Sequence, residues 1–227
     1  MKNYKYLDLA TVTFVVTLIL SNFAGNSKIA QIEGISFTAG VILFPLSYLI
    51  GDILTEVYGY SKSRRVIWIG FVALLVSVFF VQIMIALPPA HGWPNQKAYE
   101  LIFSNSYRAA ISSIFAFWIG EFVNSFVLAK MKIWTKGKLL WTRTIGSTIV
   151  GQLVDSMIFY PLAFAGLSAF PWHLIYSVMI TNFILKVLWE VLATPFTYWV
   201  IAFLKDKEHE DYFDYKTDFN PFVIADK

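Results

Sequence analysis

The sequence contains no cysteine and few charged residues. Without cysteine, the 227-residue chain forms no disulfide and has no thiolate for catalysis or metal binding. Charged residues make up 15% of the chain and hydrophobic residues 57%, whereas a typical soluble domain has about 25% and about 45–50%. The formal net charge of +3 is too small to indicate nucleic acid as a partner. This composition is typical of an integral membrane protein.

Sequence motifs of the common enzyme classes are absent as well. The chain has no H-E-x-x-H zinc motif, no G-x-S-x-G nucleophile elbow and no Walker motif. Its three histidines, His91, His173 and His209, fall in predicted loops or in the tail, so no metal site within the membrane is predicted. Neither catalysis, ATP hydrolysis nor a cofactor is therefore expected. A two-aspartate membrane protease using Asp52 and Asp155 is an enzymatic alternative, but no flanking pattern supports it.

Long apolar stretches dominate what is present. A helix needs about 20 mostly apolar residues to cross a bilayer, and six stretches meet that length. They cover roughly residues 7–27, 37–58, 65–87, 106–130, 140–167 and 172–204. The sequence therefore predicts an all-α bundle of six transmembrane helices over residues 1–204. An acidic and aromatic tail, residues 205–227, is expected to follow in the cytoplasm.

The lysines and arginines predict how the bundle is oriented. Basic residues are retained on the cytoplasmic side of a membrane protein. With six spans, one side carries Lys2, Lys5, Lys62, Arg64, Arg65, Lys130, Lys132, Lys136, Lys138, Lys205 and Lys207. The other side carries Lys28, Lys97 and Arg108. Both termini are therefore predicted to be cytoplasmic.

The stretch "GDILTEVYGYSKSRR", residues 51–65, ends the second span with two acids. An ionisable side chain inside a membrane helix costs at least about 2.5 kcal/mol and usually faces a cavity or a partner. Asp52 and Glu56 are four residues apart and share one helical face. Two interpretations stay open: they pair with Arg64 or Arg65 near the membrane surface, or they form a gate or part of a substrate pocket.

The fourth and fifth spans carry further polar residues at helical spacing. Glu121 and Asn124 are three residues apart in span four. Gln152 and Asp155 have the same spacing in span five, and Arg143 lies nearer the cytoplasmic end of that span. A purely structural bundle does not need such a set, so the pattern indicates a polar ligand cavity inside the bundle.

The sixth span adds Lys186 and Glu190, which are four residues apart. They could satisfy each other along one helix. Alternatively, Lys186 neutralises a carboxylate on span four or five, because a buried charge must be paired.

The polar residues suggest the chemistry of a ligand. A carboxylate accepts paired hydrogen bonds from a guanine-like edge, whose N1–H and 2-amino groups both donate. An amide such as Asn124 or Gln152 could serve the carbonyl side of that edge. Trp118 and Phe159 are near the acids in sequence and could stack on a flat ring. Composition alone does not single out this ligand.

Four segments, in this order, resemble one known family: "GDILTEVYGY", "FWIGEFVNSF", "RTIGSTIVGQLVDSMIF" and "LKVLWEVLATPFTYWV". The family is the queuosine precursor transporters, also called the putative vitamin uptake transporters. The resemblance covers about residues 8–204 and leaves out the tail. It implies a six-helix importer in the bacterial inner membrane that salvages 7-deazaguanine precursors of the tRNA nucleoside queuosine. These are 7-cyano-7-deazaguanine, 7-aminomethyl-7-deazaguanine and, in some members, queuine.

The resemblance also implies which residues bind the substrate. Carried over to this sequence, the pocket members are Glu121, Asn124, Arg143, Gln152, Asp155 and Lys186. A homo-oligomer is compatible with this assignment. An alternative is a substrate-binding subunit of an energy-coupling-factor importer, which needs an ATPase module. Ser21 and Gly25 are a weak echo of the small residues through which such subunits bind that module.

Overall fold

The computed structural model describes residues 4–27, 29–32, 35–38, 43–103, 107–168 and 171–223. Lys2 and Lys28, which belong to the orientation prediction, lie outside these residues, and the packing around Gly25 is outside the described part of the chain as well. The elements in chain order are α1 (Leu7–Ser27), β1 (Ile29–Ile32), β2 (Ile35–Thr38), α2 (Phe44–Tyr58), α3 (Tyr60–Ala86), α4 (Gln96–Phe103), α5 (Tyr107–Trp134), α6 (Leu140–Phe164) and α7 (Trp172–Glu208).

The predicted helical architecture is confirmed, with a small addition. The strands β1 and β2 form an antiparallel pair in which Ile29 faces Thr38 and Ile32 faces Ile35. The predicted start of span two at residue 37 is therefore wrong, because that residue lies in β2 and the helix begins at Phe44. A proline near the first turn of α2 suits a helix start at this point.

The helix α2 is short and central. It has 15 residues, about 22 Å at 1.5 Å per residue, and 12 of them are buried. It packs against α1, α3, α5 and α7. Gly59, with φ of 84°, separates it from α3 in a conformation that favours glycine. Because other helices surround α2, polar side chains on any of its faces lie inside the bundle.

Four segments of the described chain are long and apolar enough to cross a membrane. They are α3, α6, α7 and the segment Gln96–Trp134, which ends with α5. The apolar part of α1, Leu7–Phe23, is shorter. The chain is thus a multi-pass membrane protein. The count of six spans and the side each terminus faces stay predictions.

One end of the bundle collects the basic residues of several elements, and we call it the basic end. Lys132, Arg143 and Lys205 all lie there, each within 4 Å of the Glu56 carboxylate at the end of α2. The backbone nitrogen of Lys5 donates to Glu208 at the end of α7 (2.9 Å). Both ends of the described chain are therefore at the basic end, as the six-span prediction requires.

Helices α5 and α6 approach each other through glycine. A Cβ added at Gly151 would lie 2.7 Å from Asn124 Cβ and 3.0 Å from the Gly120 carbonyl oxygen. A Cβ at Gly120 would in turn lie 3.0 Å from the carbonyl oxygen of Gly151. Small residues allow this backbone-to-backbone contact between membrane helices. The contact holds the polar residues of α5 close to those of α6.

Replacing Gly151 with Ala is expected to destabilise the bundle by about 1–3 kcal/mol, because the added methyl overpacks a contact made by backbone atoms. Gly146→Ala is a matched control on the same helix, since its Cβ would meet only the flexible tip of Met131 at 3.0 Å. Thermal unfolding of both purified variants in detergent measures the difference. Equal unfolding midpoints would contradict the contact between α5 and α6.

Candidate functional site

A group of buried polar side chains connects α2 with α5. Asn124 Nδ2 donates to Asp52 Oδ1 (2.6 Å), and both side chains are fully buried. Glu121 is also fully buried and lies against Gly51, where an added Cβ would overlap its carboxylate. Within the described residues, neither Glu121 oxygen has a hydrogen-bond partner, and Asp52 Oδ2 and Asn124 Oδ1 also lack one.

The helices α6 and α7 contribute the remaining charged groups. Lys186 Nζ lies 2.8 Å from Asp155 Oδ2. This confirms the interpretation in which Lys186 neutralises a carboxylate of another span. Glu190, one turn further along α7, is 1% exposed, and its Oε1 has no partner among the described residues. Gln152 Oε1 on α6 is equally buried and without a partner there.

These groups form one cluster because their charges act on each other. The Tyr48 hydroxyl on α2 interacts electrostatically with Asp155 and Glu121. Glu190 is the acidic neighbour that interacts most strongly with both Asp52 and Glu121. We call this set the interior polar cluster: Tyr48, Asp52, Glu121, Asn124, Gln152, Asp155, Lys186 and Glu190.

The interior polar cluster is rich in unsatisfied polar atoms. Native proteins leave only a few buried polar groups per 100 residues without a hydrogen bond. Among the described residues, the hydroxyls of Ser47, Thr148 and Ser156 on α2 and α6 also lack a hydrogen-bond partner, as do the carboxylate and amide oxygens named above. Such a concentration fits a cavity that is completed by a polar ligand.

The structure places Arg143 and Glu56 outside the interior polar cluster. Arg143 binds Glu56 bidentately, with Nε 2.7 Å from Oε2 and Nη2 2.8 Å from Oε1. Lys205 Nζ also reaches Glu56 Oε1 (2.6 Å). The predicted pairing of Glu56 with Arg64 or Arg65 is therefore wrong. Arg64 instead donates to backbone carbonyls of the tail.

The tail folds back over the basic end. Lys132 Nζ, 1% exposed, donates to Asp211 Oδ1 (2.5 Å) and to the Glu56 carbonyl (2.6 Å). Asp214 accepts from the Tyr60 backbone nitrogen with both oxygens (3.1 Å). The predicted boundary at residue 205 lies inside α7, which continues to Glu208. Helix and tail together cover the charged residues at this end.

Asp211 makes this contact dependent on pH. Burial alone would raise its pKa, but hydrogen bonds from Lys132 and Lys205 outweigh burial and hold the pKa below the ordinary 3.8. Its stabilising contribution is therefore fully present above 3.8 and is lost as the pH falls through the lowered pKa. Limited proteolysis should cut the tail faster in Asp211→Asn than in the parent chain at neutral pH. Equal rates would show that Asp211 does not hold the tail.

The aromatic residues predicted to stack on a ligand have other neighbours. The Trp118 ring packs 5.0 Å from both Trp68 and Phe71, between α5 and α3. The Phe159 ring packs 5.0 Å from Tyr160 on its own helix. Phe117 is an aromatic side chain beside the interior polar cluster, and its ring lies 5.6 Å from that of Tyr48.

The chain is similar to known proteins over most of its length. Residues 38–200 match the family model described as "Putative vitamin uptake transporter". A curated relative from Bacillus subtilis (strain 168), named "Probable queuosine precursor transporter", is 30% identical over 172 residues, which is 75% of this chain and 74% of the relative. No solved structure matches.

Proposed function

The chain belongs to the putative vitamin uptake transporter family, and on that premise we propose that it imports a 7-deazaguanine precursor of queuosine. The name of its Bacillus subtilis relative supports this substrate class. The interior polar cluster is the proposed binding site, and the bacterial inner membrane is the proposed location. Transport requires neither a cofactor nor catalysis by the chain.

The Glu121 carboxylate is the observation that carries this proposal. Both of its oxygens are buried and have no partner in the described residues. A guanine-like edge brings two adjacent N–H donors, which one carboxylate accepts through charge-assisted hydrogen bonds. The Gln152 and Asn124 side chains lie in the same cluster, and each has an oxygen without a partner. Asp155 and Lys186 complete the site as an ion pair.

Three of the predicted site residues are assigned to two different parts of the bundle. Asp52 belongs with the substrate pocket, because it holds the Asn124 amide in place. Glu56 and Arg143 belong to a closure at the basic end, since their carboxylate and guanidinium satisfy each other. If the basic end faces the cytoplasm, as its lysines and arginines predict, this closure must open for the substrate to be released.

Secondary or facilitative transport fits the chain better than dependence on an ATPase module. Ser21, one of the small residues resembling a module-binding surface, is fully buried and donates to the Thr17 carbonyl (2.5 Å). It is therefore not on an exposed face that a partner could contact. Purified protein in liposomes should take up the precursor without ATP. Uptake that required an added ATPase would favour the energy-coupling-factor alternative.

The proposed function can be tested in bacteria that lack both synthesis and uptake of the precursor. Expression of the chain should restore queuosine in tRNA when a low concentration of precursor is supplied. Cells carrying the empty vector are the control, and immunoblotting of membranes confirms that the protein is present. If membranes contain the protein and tRNA stays unmodified with every precursor, the proposal is wrong.

A further inference from the structure

The interior polar cluster has more acidic than basic groups. Its four carboxylates are Asp52, Glu121, Asp155 and Glu190. Lys186 is the basic side chain that the described contacts place there, and it is paired with Asp155 at 2.8 Å. Arg143, which could have supplied a second cation, binds Glu56 instead. Among the residues that the structure describes, three carboxylates of the cluster are therefore left without a cation.

The remaining carboxylates do not satisfy one another. Asp52 accepts a hydrogen bond from Asn124 on one oxygen only. Both Glu121 oxygens and Glu190 Oε1 have no partner in the part of the chain that the structure describes. Buried polar groups are normally satisfied, and buried charges normally paired. A bound molecule that carries several N–H donors would satisfy these oxygens, and a positive charge on it would pair with a carboxylate that is otherwise buried without a counter-ion.

The grouping of these acids suits a molecule better than an ion. Within the described residues, no three carboxylate or imidazole side chains are grouped in a way that could hold a metal ion. The three unpaired carboxylates come from three different helices, α2, α5 and α7. A ligand of molecular size can reach several of them at once, with donors at separate positions.

We propose, building on the proposed function, that the preferred cargo carries a protonated amine on its guanine-like ring, and that Glu190 with Asp52 is the counter-charge for that amine. Glu121 then accepts hydrogen bonds from the N1–H and 2-amino groups, and the ammonium group lies between α7 and α2. The aminomethyl precursor has this group. The cyano precursor is neutral and leaves the surplus carboxylates uncompensated, so it binds less tightly.

Binding to the purified full-length chain tests this assignment. Isothermal titration with the aminomethyl and cyano precursors should give an affinity about tenfold or more higher for the aminomethyl compound, because a hydrogen bond between two charged groups is stronger than one between neutral groups. Glu190→Gln should remove most of that preference, because it weakens binding of the aminomethyl compound more than binding of the cyano compound. Glu190→Asp keeps the charge and should keep the preference.

Each other outcome has a definite meaning. Equal or tighter binding of the cyano precursor by the parent chain overturns the inference and leaves the proposed function intact, and this comparison needs no variant. An equal loss of both ligands in Glu190→Gln, with an unchanged unfolding midpoint, overturns the counter-charge role of Glu190. Binding of neither precursor overturns the inference together with the proposed function.

Discussion

Replacing Glu121 with Gln is expected to reduce precursor affinity and uptake by about 10- to 150-fold, because hydrogen bonds to a charged group contribute about 1.5–3 kcal/mol. The amide keeps one acceptor oxygen but turns an NH₂ group toward the donors of the ligand. The carboxylate is fully buried and lies against Gly51, so it cannot swing away to relieve that clash. Protein stability should be unchanged or higher, since the variant removes a buried carboxylate that has no partner among the described residues.

The matched control for this variant is Glu100→Gln. Glu100 lies on α4, accepts a hydrogen bond from Gln96 (2.7 Å) and is outside the interior polar cluster. Uptake assays in cells and titration of the purified variants measure transport and affinity separately. Normal affinity in Glu121→Gln would show that this carboxylate does not read the ligand. A lower unfolding midpoint would show that it has a structural partner.

The spacing of residues along one helix predicted which polar side chains of that helix lie next to each other. Residues three or four positions apart share a helix face, which is why Glu121 with Asn124, and Gln152 with Asp155, enter the cluster as pairs. The same rule placed Asp52 and Glu56 on one face of a helix, but it could not show that the two side chains contact different partners. One helical turn is enough to put Asp52 among the interior groups and Glu56 at the basic end.

Arg143 shows what a polar sector on a helix does not determine. It is 12 residues from Asp155, about 18 Å along a helix at 1.5 Å per residue, and its guanidinium binds Glu56. Its partner Glu56, 87 positions away, depends on how α2 and α6 pack, and helix periodicity carries no such information.

Two features of the fold were not predicted because the residues that form them also suit another interpretation. The end of β2, residues 37 and 38, falls at the start of an apolar stretch that also suits a membrane helix, and short apolar runs do not distinguish strand from helix. Lys132 was interpreted only as a determinant of orientation. It lies 11 positions after Glu121, which is close to three turns along the same helix face. The position of Glu121 was therefore enough to predict that this lysine points inward, but the inference was not drawn.

Replacing Glu56 with Gln is expected to lower the free energy of unfolding by about 3–5 kcal/mol, the usual cost of removing one partner from a buried ion pair. Arg143 is 1% exposed and loses two short hydrogen bonds to the carboxylate. Lys205 loses its contact at 2.6 Å. Three cations, Lys132, Arg143 and Lys205, then face a neutral side chain at an end of the bundle that the tail also covers.

Thermal unfolding in detergent measures this loss, and a double-mutant cycle assigns it to the pair. Arg143→Met removes the uncompensated guanidinium, so the double variant should be more stable than the sum of the two single changes requires. Asp206→Asn is the matched surface control. Its contact with Lys207 is exposed, at 3.2 Å, and such pairs contribute about 0–1 kcal/mol. If Glu56→Gln and Asp206→Asn unfold at the same temperature, the charges at the basic end do not hold the bundle closed. The closure assigned to Glu56 and Arg143 would then have to come from packing of α2 against α7 and the tail alone.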